Sequence, residues 1–105
     1  MTTSSDPILT RFRAALAATY GDRLDSAVLF GSRVRGDAVA ESDYDIAVFL
    51  KNAGSFWTES GRLAEIETDI IHDTGAVINA LPFPAGAHLG PSPPMHEIRR
   101  DGRAL

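Results

Sequence analysis

Apolar residues recur at helical spacing at the start of the chain, at Leu9, Phe12, Leu16 and Tyr20, with Ala15 alongside. Asp6 followed by Pro7 supplies an N-cap and a first-turn proline, and Gly21 supplies a stop. A first helix is predicted between them, behind a small polar stretch (residues 1–5) expected to be disordered. Ser26 to Phe30 is a short apolar run bounded by Asp25 and Gly31, the pattern of a buried strand. Gly31 to Gly36 reads as a tight loop or the opening of a short helix. Tyr44 to Leu50 is a second strand rich in Ile, Val and Phe, and Lys51 to Phe56 a loop. Glu59 to Thr74 is a helix with Leu63, Ile66 and Ile70 on one stripe and Gly75 as its stop. Ala76 to Leu81 is a third strand. Pro82 to Pro94 holds five of the six prolines and reads as an extended connector. Met95 to Arg103 is predicted as a last short helix.

This order predicts a small α/β (α+β) fold, a sheet of about three or more strands with helices on one face. The relative direction of the first two strands is left open by the pattern. At 105 residues the chain suits one domain spanning 1–105. Apolar residues at 44% and charged residues at 23% are ordinary for a globular core. The net charge of -4 argues against a general nucleic-acid binder. The absence of cysteine excludes disulfides and thiolate metal sites. No apolar run is long enough for a membrane span, and residues 1–6 lack a signal-peptide pattern, so a cytoplasmic location is expected.

The chemistry concentrates in Gly31-Ser32-Arg33-Val34-Arg35-Gly36-Asp37 and the following Ser42-Asp43-Tyr44-Asp45. Gly31 and Ser32 directly follow a buried strand. Glycine lets backbone N–H groups approach an anion closely, and the serine hydroxyl adds a donor. Alone, such a turn is more often a plain strand ending. Asp43 and Asp45 stand two apart at the start of a strand, so both point to one sheet face, while Tyr44, Ile46, Val48 and Leu50 point to the other. Two neighbouring carboxylates repel unless a cation lies between them, and hard oxygen donors suit Mg2+ held jointly by carboxylates and substrate phosphates. Alone, the pair is about as well explained as a solvated strand end. Together, a phosphate cradle ending one strand and a metal-binding pair beginning the next point to a metal-chelated nucleotide. Arg33 and Arg35 offer positive charge for phosphate oxygens, or simple surface charge balance.

Gly31-Ser32, ten residues, then Asp43-Tyr44-Asp45, with Arg35-Gly36 inside, resembles the minimal nucleotidyltransferase (MNT) family of the polymerase-beta superfamily. Gly75-Ala76-Val77-Ile78-Asn79 is similar to the family's third strand, and Ile98-Arg99-Arg100-Asp101-Gly102 to its usual ending. The resemblance implies nucleotidyl transfer with two Mg2+ ions on Asp43 and Asp45. ATP or another NTP would lie against Gly31, Ser32 and Arg35. It also implies an antitoxin role, in which AMP passes from ATP to a tyrosine of a partner such as a HEPN-domain ribonuclease toxin; whether the chain forms a homo- or hetero-oligomer is left open by the sequence. The chain carries no evident acceptor-binding domain, which agrees with an acceptor held by a separate protein.

One position departs from the pattern. These enzymes usually place a third carboxylate on the next strand, and alignment on Gly75 puts Asn79 there. An amide offers an oxygen to a metal but cannot act as a base, and one negative charge fewer weakens a second metal site. Glu67 and Asp69 are the nearest substitutes by sequence, although both read more simply as solvated helix surface. Two functions therefore stand: an active transferase, and a weak or inactive relative that binds nucleotide or neutralises a toxin by complex formation. Phe49, Phe56 and Trp57 are candidates for base stacking or partner contact, with local core the simpler reading. His72, His88 and His96 lack metal-ligand spacing, and Glu65, Asp69 and Asp73 form a solvated helix stripe.

Overall fold

The computed structural model describes residues 6–31 and 43–105. Helix α1 (Pro7–Tyr20) begins where the sequence places its cap: Asp6 Oδ1 accepts the Ile8 N–H at 2.8 Å. A short 3-10 turn at Gly21–Arg23 leads into strand β1 (Leu24–Phe30). The next described elements are strand β2 (Tyr44–Leu50), helix α2 (Phe56–Thr74), strand β3 (Ile78–Pro84), helix α3 (Pro93–Asp101) and a two-residue strand β4 (Arg103–Ala104). The sheet order is β3-β2-β1-β4. β1 runs antiparallel to both β2 and β4, whereas β2 and β3 are parallel, with α2 as their crossover. This settles the strand direction that the pattern left open.

The alternation in β2 divides the two faces. Tyr44, Ile46, Val48 and Leu50 pack with Leu9, Phe12, Leu16 and Tyr20 of α1 and with Leu63, Ile66 and Ile70 of α2. Both long helices therefore cover one face, as expected. The third does not join them. Met95 and Ile98 of α3 pack on Ala47 and Phe49, so helices stand on both faces. Alternation within β2 supplies an apolar residue to each side at those positions, which the one-face reading overlooked.

The proline-rich stretch is less of a connector than expected. β3 runs on to Pro84, with Pro82 buried in it, and Pro93 opens α3. β3 is an edge strand, where a missing N–H is tolerated, and proline is well placed in a first helical turn. Between them, Arg99 donates to the carbonyls of His88 and Gly90, at 2.5 and 2.6 Å, and ties the remaining loop to α3. The last helix also stops before Arg103, because the chain turns at Gly102 into β4 and Leu105 donates its N–H to Ala27. A Cβ at Gly102 would lie 2.5 Å from both the Ile98 carbonyl oxygen and Val28 Cγ1, so this close turn needs glycine. α2 starts at Phe56, earlier than Glu59, because Ser55 caps it by accepting the Thr58 N–H.

Candidate active site

Asp45 is the second residue of β2, opposite Phe30 of β1 and Asn79 of β3. Cross-strand partners share a face, so Phe30, Asp45 and Asn79 project to the side away from α1 and α2. Asp43 stands one residue before β2 and is exposed, whereas Asp45 is half-buried. The chain at this point is held from the residue just before β3: the Tyr44 N–H donates to the Val77 carbonyl at 2.9 Å.

Gly31 closes the other side. It is buried, follows β1 directly, and has φ +84, a conformation that an L side chain resists. A Cβ built there would meet Asp45 Oδ2 at 2.6 Å. The turn after β1 therefore passes against the Asp45 carboxylate, and glycine makes that approach sterically feasible. Ser32, Arg33 and Arg35, expected to continue this cradle, lie outside the described residues.

Asn79 joins the group directly. Its Nδ2 donates to Asp43 Oδ2 at 2.9 Å, and its backbone pairs in register with Asp45. The cost anticipated for an amide in an apolar strand does not arise, because Asn79 is exposed and hydrogen-bonded. Asp43, Asp45, Asn79 and Gly31 thus converge at one end of the sheet. α3 covers Ala47 and Phe49 further along the same face, with Phe30 packed against that cluster. Among the described residues, no group of three or more acidic or histidine side chains gathers as a metal site. Among the described residues the local donor set is two carboxylates and an amide, with the Gly31 backbone held so close to Asp45 Oδ2 that a side chain there would collide with it. Hard oxygens carrying two negative charges fit a divalent cation that completes its shell with phosphate and water.

The other expected residues divide. Phe49 is core, 1% exposed, stacked at 5.7 Å on Phe83 under α3. Phe56 and Trp57 are 54% and 82% exposed, against the core reading. They begin α2 beyond the far end of β2, which carries the chain about 20 Å from Tyr44 to Leu50. That distance removes them from base stacking at the carboxylates and leaves a surface role. Glu65, Asp69 and Asp73 are exposed, with Asp73 paired to Arg11 at 2.7 Å; that pairing holds the Asp73 carboxyl below its ordinary range. Glu67 is not solvated surface. It is half-buried and accepts the Ala80 N–H of edge strand β3 at 2.9 Å. Burial pushes its carboxyl above the ordinary value, and the Ala80 N–H offsets this only in part.

Sequence reasoning missed Glu59. It is 2% exposed and sits in a cleft of about 500 Å³ lined also by Leu50, Phe56, Pro82 and Phe83. Burial raises its pKa, but the Gly54 N–H and the Arg23 guanidinium outweigh that, and the net shift is downward. Tyr20 nearby is pushed up to about 12, first by burial and then by the Glu59 charge. The available signal was a glutamate four residues before Leu63, on the buried stripe of its helix.

Residues 15–81 match the model of the polymerase beta nucleotidyltransferase domain. A relative described as a "Putative protein adenylyltransferase" of Methanocaldococcus jannaschii is 39% identical over 44 residues, 42% of this chain and 44% of that protein. The chain thus matches less than half the length of that relative. A "putative nucleotidyltransferase" from Sulfolobus solfataricus, solved as a crystal structure, superposes with a TM-score of 0.65 at 17% identity, over 92% of this chain and 75% of the other. A toxin–antitoxin crystal structure with AMP-PNP superposes at 0.57 and 18% identity, over 89% and 68%. At such identities the two structures establish the shared fold. The family match covers most of the sheet together with Gly31, both aspartates and Asn79, and the chain belongs to the polymerase beta nucleotidyltransferase family.

Proposed function

We propose that this chain transfers AMP from ATP to a hydroxyl, a tyrosine of a partner protein such as a HEPN-domain toxin, and so acts as an antitoxin. The observation that carries this reading is the convergence of Asp43, Asp45, Asn79 and Gly31 at one end of the sheet. The adenylyltransferase relative and the toxin–antitoxin fold neighbour support the nucleotide and the partner. Asp43 and Asp45 would hold Mg2+, which when bound supplies positive charge against the triphosphate. Gly31 gives the phosphates a close backbone approach beside Asp45. In the transfer, the acceptor oxygen bonds to the α-phosphorus, the bond from that phosphorus to the α–β bridging oxygen breaks, pyrophosphate leaves, and the hydroxyl proton passes to solvent. Asn79 cannot take that proton.

That last property favours a second reading, in which the chain binds nucleotide and neutralises its partner by complex formation alone. Incubation with Mg2+, labelled ATP and the partner separates the two. Label on the partner, lost in an Asp43→Asn/Asp45→Asn variant, supports transfer. A stable complex without label in either form supports the second reading.

A further inference from the structure

The structure assigns Asn79 the part of a positioning residue, whose amide holds Asp43 so that Asp43 and Asp45 share a single divalent cation. This rests on the proposed reading that the carboxylates bind such a cation. Asp43 precedes β2 and among the described residues has no strand partner, yet two bonds from β3 and the residue just before it fix this point of the chain. One is the backbone bond from Tyr44 to Val77 and the other is Asn79 Nδ2 to Asp43 Oδ2, both 2.9 Å. Asn79 is also the register partner of Asp45, so one residue of β3 stands beside both carboxylates. The amide must present nitrogen to Asp43, since its oxygen would face a carboxylate oxygen with no proton between them. Asn79 therefore acts here as a donor to a ligand, the arrangement by which outer groups orient metal-binding carboxylates.

Charge then sets the stoichiometry. Two carboxylates carry two negative charges, which one divalent cation neutralises. An acid at position 79 would add a third charge, remove the donor to Asp43, and repel both aspartates until a second cation entered. With asparagine, a further cation arrives only with the phosphates of the nucleotide itself.

Mn2+ titration of the full chain without nucleotide, followed by electron paramagnetic resonance of free Mn2+, tests this. One ion per chain is expected for the wild type. Asn79→Ala should keep the fold by circular dichroism, because the residue is exposed, and should bind Mn2+ about 10- to 100-fold more weakly. Asn79→Asp should take up two ions. Wild-type binding of two ions, unchanged affinity in Asn79→Ala, or a single ion in Asn79→Asp would each overturn the assignment. Asp43→Asn/Asp45→Asn separates the failures. Retained Mn2+ binding in that variant removes the site reading itself, while lost binding there with an unaffected Asn79→Ala removes only the role of Asn79.

Discussion

The Tyr44 phenol donates to Asp6 Oδ2 at 2.7 Å, while Asp6 Oδ1 caps α1 through the Ile8 N–H. The residue between the two site aspartates is thus moored, through the core side of the sheet, to the start of the first helix. Tyr44 is 6% exposed, and this bond satisfies a hydroxyl largely removed from water. Tyr44→Phe is expected to cost ~1.5–3 kcal/mol, the range for a hydrogen bond to a charged acceptor. Chemical denaturation measures that. The same variant should weaken Mn2+ binding, since Asp43 and Asp45 flank the freed residue. An Asp6→Ala variant that loses stability without any change in Mn2+ affinity would show that the mooring does not reach the site.

Gly31 leads to a sharper separation of stability from binding. Its positive φ costs an alanine roughly 1–2 kcal/mol, and the added Cβ would displace Asp45 Oδ2. Gly31→Ala should therefore fold with a lowered melting temperature and lose the thermal shift that Mg2+ and ATP give the wild type. If the shift persists at full size, the cradle beside Asp45 has no part in binding.

The strand pattern made much of this legible. Alternation in Tyr44–Leu50 put both aspartates on the face opposite the core, where Asp45 and Asn79 now stand in register. The caps at Asp6 and Gly75 were equally readable, because short-range chemistry decides them. What escaped depended on partners distant in sequence. α3 covers the second face through Met95 and Ile98, and β4 forms only because Gly102 lets the chain return across Val28. The donor role of Asn79 likewise needs Asp43, 36 positions away, to be in place. Glu59 is an acid in the first turn of α2, and its burial is made tolerable by the Gly54 N–H together with Arg23, which arrives from the segment before β1.

The Arg23–Glu59 pair should matter to stability out of proportion to its size. Glu59 Oε2 accepts from Arg23 and from the Gly54 N–H, and so ties three segments together at the end of the sheet remote from the aspartates. Removing one member of a buried pair typically costs ~3–5 kcal/mol. Arg23 is partly open to solvent, with its side chain 32% exposed, so Arg23→Ala should fall at the lower end, about 3 kcal/mol. Glu59 is held below its unfolded pKa, so its stabilisation is present above that value, 4.5, and is lost as pH falls through the lower folded value. Urea melts of wild type and Glu59→Gln should therefore converge in acid. A gap that stays constant down to full protonation would rule out the charge as the source.

Glu67 carries the opposite sign. It covers the outward N–H of Ala80 on edge strand β3, a donor that would otherwise invite another strand. Burial holds its carboxyl above the unfolded value of 4.5. The folded state therefore binds this proton more tightly than the unfolded chain does. The resulting stabilisation is full below 4.5 and is lost as pH rises through the higher folded value. Glu67→Gln keeps an oxygen for the Ala80 N–H and removes the charge that burial disfavours. It should be at least as stable as wild type near neutral pH, with the advantage appearing only as the wild-type carboxyl ionises. Glu67→Ala loses the acceptor and should cost ~0.5–1.5 kcal/mol. Denaturant midpoints for the three forms, followed from about pH 4 to about pH 8, separate charge from hydrogen bond. A Gln variant that parallels the Ala variant across that range would mean that the ionised carboxylate is itself what holds Ala80.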